Sequence, residues 1–294
     1  MEIPHTRRME WPELPASRFA SRIQTESPDG CRVALLGMPD DTGIGLNHGR
    51  LGAAHGPDAT RVALTRYGVA DPDDWVWPGV FDAGDVIPGE SLSTTHDRVT
   101  EAAGALLDAG LFPIGLGGGH DLTYAFVRAL AQRVPTLNGI YLDAHLDVRE
   151  TEGSGMPFRR LVEDCGVQRL DVIGLSPMAN SRDHSRWFHS HGGRVDSLDP
   201  HDDWPGDAIF FSLDLDVLDC SVAPGVSATN PMGWTVQRAA DWVMAAGWCN
   251  KVRCFDIMEL SPPHDMGGMT ARVAAHLLLS FLRGYAGRPV GANE

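Results

Sequence analysis

The chain is short of positive charge. Lysine and arginine together number 24 against 39 aspartates and glutamates, a formal net charge of −15. A nucleic-acid binder needs a basic footprint, so that class of partner is excluded. No run of about 18 uncharged apolar residues occurs, so no membrane-spanning helix is expected. The stretch from Met1 to Pro15 has no apolar h-region, and no signal peptide is expected there. The five cysteines (Cys31, Cys165, Cys220, Cys249 and Cys254) form no C-x-x-C pair and are odd in number. That argues against a disulfide framework or a thiolate metal site, and for a reduced, cytoplasmic protein.

What is present is a rhythm. The 294 residues, 43% of them hydrophobic, suffice for one large α/β domain. Strand-like apolar runs fall at 32–37, 80–85, 111–116, 137–142, 170–174, 208–213 and 252–257. Helix-like patterns lie between them, near 94–107, 120–133, 157–164, 181–191, 235–247 and 270–283. Thr94 and Asp97 have the spacing of a capping box. Alternation of strands and helices predicts a single three-layer α/β/α domain with a mostly parallel central sheet. No linker divides it. Residues 1–30 are polar and read as a loosely packed arm, with the catalytic domain over 31–294. Residues 38–57 form a long loop holding many glycines, which inside a compact chain points to function.

The chemistry collects at strand ends, where open parallel sheets bind ligands. Gly117-Gly118-Gly119-His120 follows the strand at 111–116. Asp143-Ala144-His145-Leu146-Asp147 follows the strand at 137–142, with acid, imidazole and acid at every second position. Asp214 and Asp216 end the strand at 208–213, again two apart. Period two places alternate side chains on one face of an extended chain, so each set is expected to share a face. Hard oxygens with imidazole suit Mn²⁺, Fe²⁺, Ni²⁺ or Zn²⁺. Four carboxylates and two histidines exceed what one open metal site needs and suit two cations. Asp219 begins the following turn instead. His184, His189 and His191 read as a solvated helix end. His48, His55 and His264 are equally well explained by loop turns.

These motifs resemble the ureohydrolase family, which includes arginases, agmatinases, guanidinobutyrases and formimidoylglutamases. The family patterns GGGHD/E, DAHxD and SxDxDxxDP are matched at 117–121, 143–147 and 212–219, with Cys220 standing where the last has Pro. The resemblance implies an arginase-like fold and two Mn²⁺ ions per subunit. It implies that His120 and Asp147 bind one ion, His145 and Asp216 the other, and that Asp143 and Asp214 bridge. It implies attack by a metal-bridging hydroxide, with Asp147 moving its proton to the leaving amine. Glu259 matches the family glutamate that pairs with the cationic part of the substrate. Family members are commonly trimers or hexamers, so a homo-oligomer acting on a small molecule is expected.

Within the family, three segments look most like the formimidoylglutamase branch. They are the stretch around Asn47 and Arg50, the pattern Asp147-Val148-Arg149 with Ser154-Gly155-Met156-Pro157-Phe158, and the loop from Ala223 to Ala228. Arginases carry Asn where Arg149 stands. A guanidinium two residues from a metal ligand suits a substrate carboxylate, which it can bind bidentately. The expected reaction is hydrolysis of N-formimidoyl-L-glutamate to L-glutamate and formamide, with Arg149, Ser154, Asn47 and Arg50 on the substrate. The alternatives are a guanidino hydrolase releasing urea and a non-catalytic metal-binding homologue.

Overall fold

The computed structural model describes residues 1–68 and 76–288. The last residues of the domain drawn to 294 lie outside these. Among the described residues one nine-stranded sheet runs through the molecule. Its strands are β1 (Thr6–Arg7), β2 (Val33–Gly37), β3 (Val80–Val86), β4 (Phe112–Leu116), β5 (Asn138–Leu142), β6 (Arg169–Ile173), β7 (Arg194–Val195), β8 (Ile209–Asp214) and β9 (Val252–Met258). Their order is β1-β3-β2-β4-β9-β8-β5-β6-β7, and every pairing is parallel except β1 with β3.

The helices are α1 (Thr42–Leu46), α2 (Gly56–Leu64), α3 (Leu92–Asp108), α4 (Leu122–Ala131), α5 (Pro157–Cys165), α6 (Arg182–Ser190), α7 (Val236–Trp248) and α8 (Met269–Ala286). They explain why the strands read as continuous apolar runs. On β2, Val33 and Leu35 join one core with Leu64 of α2, Val243 of α7 and Leu278 of α8. Ala34 and Leu36 join the other core with Val99 of α3, Phe126 of α4, Phe158 of α5 and Phe188 of α6. A sheet buried on both faces has no polar side to display. The three-layer expectation is met.

Two local expectations change. α3 is capped by Ser91, whose Oγ accepts from the Thr94 N–H at 3.2 Å, so Thr94 lies inside the helix. The first thirty residues pack more closely than their polarity suggests. They supply β1, bury Ile3 and Phe19, and place Trp11 Nε1 2.8 Å from Asp82 Oδ2. Asp82 is itself buried against Arg61 of α2, which also reaches Asp85 at 2.6 Å. The polar arm thereby completes a buried ion-pair network at the sheet edge. Sequence patterning across 71 residues of separation does not reveal such a contact.

The strand order locates the site. From β4 the chain moves to β5, but β9 and β8 lie between them in the sheet. The ends of β4, β9, β8 and β5 thus stand side by side around a reversal of the winding. Clefts form at such points, beyond the carboxyl ends of the strands.

Candidate metal centre

Asp143 is the first residue past β5, and alternation along a strand is not what gathers its neighbours. β5 ends at Leu142. The segment 143–148 is a folded turn. The His145 N–H donates to Asp143 Oδ1 at 2.6 Å, and the Tyr141 hydroxyl donates to the Leu146 carbonyl at 2.9 Å. Asn180 holds the turn from outside: its Oδ1 accepts from Leu146 N–H and its Nδ2 donates to the Ala144 and Ser176 carbonyls. Asp147 then takes a left-handed backbone, φ 46°. That conformation is costly for a residue with a Cβ and is retained where surrounding contacts dictate it. The outcome expected from the sequence, convergence of Asp143, His145 and Asp147, holds for a different reason. The same correction applies to β8. Asp214 is its last residue, and Asp216 sits in a short 3-10 turn whose N–H donates to Asp214 Oδ1 at 2.8 Å.

His120 arrives from the end of β4. The glycines before it are a packing requirement: a Cβ on Gly118 would lie 2.0 Å from the Asp40 carbonyl oxygen. Only with that Cβ absent can the 38–42 loop close over the turn. The His120 Nδ1 lies 3.3 Å from Asp143 Oδ2, 3.0 Å from Asp147 Oδ2 and 3.0 Å from Asp214 Oδ2. The His145 Nδ1 lies 2.9 Å from Asp216 Oδ2 and 3.5 Å from Asp143 Oδ1. Two groups of ligand atoms result, each within 4.8 Å: His120, Asp143, Asp147 and Asp214 in one, Asp143, His145 and Asp216 in the other. All six sequence-derived ligands are brought together. Asp143 belongs to both groups, whereas Asp214 belongs to the first alone.

The donor set fits two divalent cations. Four carboxylates around two imidazoles carry four negative charges, and Asp143, Asp214 and Asp216 are almost wholly buried. Burial, then the charges of Asp147 and Asp216, push the Asp143 carboxyl up to about 6, and burial raises Asp214 well above the usual range. Burial would lower the His120 imidazole, but hydrogen bonds it donates to the carboxylates of Asp143, Asp147 and Asp214 outweigh it and hold it high. The neighbouring Asp216 charge raises His145. Asp143 Oδ2 is buried, and its nearest donor is the 3.3 Å contact to His120. Four charges in so dry a place call for an equal countercharge.

One feature of the cage escaped the sequence reading. The His120 Nε2 lies 3.1 Å from Ser212 Oγ, which donates to Asp256 Oδ1 at 2.5 Å. Because Ser212 gives its proton to Asp256, it accepts from Nε2, and Nδ1 is left for the carboxylate side. Such outer contacts fix the tautomer of a metal-binding histidine. Burial pushes Asp256 up to about 6. Ser212 stands within the matched motif and Asp256 three residues before Glu259; only the sheet pairing of β8 with β9 joins them.

Glu259 lies just past β9, buried, with φ 70°. Its Oε1 accepts from the His120 N–H at 2.9 Å and its Oε2 from Ser227 Oγ at 2.5 Å. Burial pushes its carboxyl up to about 8. Glu259 is therefore not a solvated strand-end carboxylate. Arg50 departs from its expected use. Its Nε donates to the Ser227 carbonyl at 3.1 Å and its Nη2 to the Val226 carbonyl at 2.5 Å. The guanidinium is thus engaged with backbone rather than turned to a substrate carboxylate.

Asn47 and Ser154 face each other, their side chains 3.1 Å apart, and the Gly155 N–H lies 2.7 Å from the Asn47 amide oxygen. The Ser154 N–H donates to the Gly43 carbonyl at 2.9 Å, so α1 and the 149–156 loop are stitched together. Arg149 is exposed at this rim and has no ion pair among the described residues; Glu150 approaches Arg159 instead, at 3.9 Å. His184, read from sequence as part of a solvated helix end, stands close by: burial and then the Arg149 charge lower its imidazole. On the other side of His145 opens a cavity of about 750 Å³ lined by Ser176, Met178, Asn230, Trp234 and Arg238. Met178 and Met232 are exposed at its rim.

The family model for the arginase family matches residues 31–283, a span that holds every candidate ligand. The chain belongs to the arginase family. A formimidoylglutamase of Ralstonia nicotianae is 36% identical over 301 aligned residues, covering 90% of this chain and 88% of that protein. A mitochondrial guanidino acid hydrolase of Homo sapiens is 33% identical, covering 88% of this chain and 80% of that one. Among solved structures, Trypanosoma cruzi formiminoglutamase with Mn²⁺ superposes with a TM-score of 0.86 at 28% identity, over 94% of this chain and 100% of that chain. The arginase fold expected from sequence is borne out. No helix among the described residues is long and apolar enough to cross a membrane.

Proposed function

We propose that this arginase-family chain hydrolyses N-formimidoyl-L-glutamate to L-glutamate and formamide, with Mn²⁺ in the paired carboxylate–histidine cage. The observation that carries the reading is Arg149, an exposed guanidinium with no ion pair among the described residues, two positions beyond Asp147. The site thus offers negative charge at its floor and positive charge at its rim. A substrate with a cationic amidine at one end and carboxylates at the other matches both. Agmatine, which has no carboxylate, would be repelled by Arg149. The identities to formimidoylglutamases support the same choice.

His120, Asp143, Asp147 and Asp214 would hold one ion, and His145 and Asp216 the other, with Asp143 shared. Bound there, the cations would supply Lewis acidity and a water ionised near neutral pH. The chain's residues do the rest. Glu259 receives the amidinium; a cation placed beside it favours the ionised carboxylate that burial otherwise opposes. Asp147 is the one carboxylate of its group that is not fully buried, so it can reach both the attacking water and the leaving nitrogen. It takes the water proton and delivers it to the α-nitrogen of glutamate as the C–N bond breaks. Arg149 holds a carboxylate by two parallel N–H bonds. Ser154, held by Asn47, lines the same rim. Five free cysteines support work in a reducing cytoplasm, and the family pattern supports a homo-oligomer.

The test is a product assay on purified protein with added Mn²⁺. Formamide release from formimidoyl-glutamate is expected to exceed urea release from agmatine or 4-guanidinobutyrate. Faster urea release would replace this reading with a guanidino hydrolase, in line with the human relative.

A further inference from the structure

We propose that Arg50 is a positioning residue that acts on the reaction through Ser227 and Glu259, without touching substrate. Four loops meet here. Arg50 follows α1 in the Gly-rich segment, and its Nε and Nη2 grip the carbonyls of Ser227 and Val226. That grip fixes the loop from Ala223 to Ala228, which carries the Ser227 hydroxyl. Ser227 Oγ donates to Glu259 Oε2, and the His120 N–H donates to Glu259 Oε1. The Glu259 carboxylate is therefore held at both oxygens, one through a rigid turn and the other through a loop that Arg50 ties down.

The backbone around Arg50 is anchored in turn. Gly52 has φ 136°, and a Cβ there would lie 2.6 Å from Ser261 Oγ, two residues beyond Glu259. The Gly52 N–H donates to Asp41 Oδ2 at 2.7 Å, and His264 Nε2 lies 3.0 Å from the Leu51 carbonyl. Arg50 thus projects from a segment fastened to the chain that bears Glu259, and closes the ring through the 226–227 carbonyls. A planar fork matches two adjacent carbonyls better than a point-charge ammonium can. The consequence is orientation: without the fork the Ser227 loop is free to shift, and Glu259 loses one of two bonds that aim it.

This inference rests on Glu259 as the acceptor of the amidinium, and the experiment separates the two. Mn²⁺-loaded wild type, Arg50→Ala, Ser227→Ala, the double variant and Arg50→Lys are compared, with metal content and circular dichroism measured for each. The first readout is binding of acetamidinium by calorimetry, which needs no turnover. The second is kcat and KM on formimidoyl-glutamate and on N-butylformamidine, an amidine with no carboxylate. Arg50→Ala is expected to weaken acetamidinium binding and to lower kcat/KM about 10- to 100-fold on both amidines alike. Ser227→Ala is expected to reproduce that loss, Arg50→Lys to restore part of it, and Mn²⁺ content to stay at the wild-type value. In a chain already carrying Ser227→Ala, adding Arg50→Ala is expected to cost less than ~3-fold, because the two act in series.

Additive losses would overturn the proposal. So would a penalty confined to formimidoyl-glutamate, which would make Arg50 a carboxylate contact after all. Wild-type acetamidinium binding in Ser227→Ala would overturn it even if Arg50→Ala failed to fold. If wild type turns over a guanidino compound instead, the substrate assignment fails and the same cycle, run on that compound, still decides the role of Arg50. If acetamidinium binding is indifferent to Glu259→Gln, the role of Glu259 fails and the proposal falls with it.

Discussion

Replacing Ser212 by Ala removes one oxygen and breaks two buried contacts, the 3.1 Å bond from His120 Nε2 and the 2.5 Å bond to Asp256 Oδ1. The scaffold has no reason to move, since Ser212 lies inside β8 between Phe211 and Leu213. A hydrogen bond to a charged group contributes about 1.5–3 kcal/mol and a neutral one about 0.5–1.5 kcal/mol. Loss of both is expected to destabilise the metal-free protein by about 2–4 kcal/mol, seen by thermal or denaturant unfolding in chelator. The sharper effect is on metal. With its Nε2 partner gone, His120 is free to rotate and to shift its proton, and outer-contact losses of this kind typically weaken binding about 10- to 100-fold. The weakening should fall on one ion only, because Ser212 bonds His120, which belongs to the group with Asp147 and Asp214 and not to the group of His145 and Asp216. Competition titration of Mn²⁺ against a chelator resolves the two affinities. Unchanged affinity for both ions, or a loss at the His145 side alone, would refute the relay from Asp256 through Ser212 to His120.

Three further outcomes follow from the same geometry. Arg149→Ala should raise KM for formimidoyl-glutamate about 10- to 100-fold, the equivalent of losing a charge-assisted bidentate contact, with little change on N-butylformamidine; equal effects on both would remove Arg149 from the substrate site. Glu259→Gln should lower kcat/KM about 100-fold or more while both Mn²⁺ ions remain bound, since the amide keeps the shape and loses the charge that faces the amidinium. The metal-free protein should lose stability as pH rises. Asp143 and Asp256 have folded pKa values raised to about 6 and Glu259 to about 8, so the folded state holds protons that the unfolded chain has released. The carboxylates therefore cost stability from about pH 4 up to 6–8, and the raised His120 and His145 add a loss that begins near pH 6.5. Asp216, with a lowered value, acts only below about pH 4 and leaves the trend in this window unchanged. A melting temperature in chelator that rises between pH 5 and pH 8 would contradict this sum, and added Mn²⁺ should flatten the decline.

The strands of the central sheet were legible because both faces are buried. An element covered on two sides is written as an unbroken apolar run, and β2, β4, β5 and β8 fall within one or two residues of their expected limits. β1 and β7, two residues each at the sheet edges, carry no such run and were not foreseen. The six candidate ligands were legible for a related reason: they sit immediately after strands, so sequence neighbours are also spatial neighbours. Period two pointed to residues that do converge, but through a different geometry. Tight turns, an Asx-type bond at Asp143, a left-handed Asp147 and the outside grip of Asn180 do what alternation was expected to do.

What escaped the sequence is the set of contacts made by residues distant along the chain. Ser212 and Asp256 are 44 residues apart, and Arg50 and Ser227 are 177 apart. No local pattern encodes such pairs; sheet order and loop closure do. Arg50 shows how this changes a functional reading. By residue type and motif it looked like a carboxylate clamp, the same role given to Arg149. Both are exposed and without an ion pair among the described residues, but by position the two separate: Arg50 donates to the Ser227 and Val226 carbonyls, and Arg149 does not. A guanidinium already satisfied by two carbonyls has less to offer a substrate than an unengaged one, since the substrate would have to displace bonds the fold has formed. Under the proposed function, specificity for an acidic substrate would therefore fall to Arg149, and the orientation of Glu259 to Arg50.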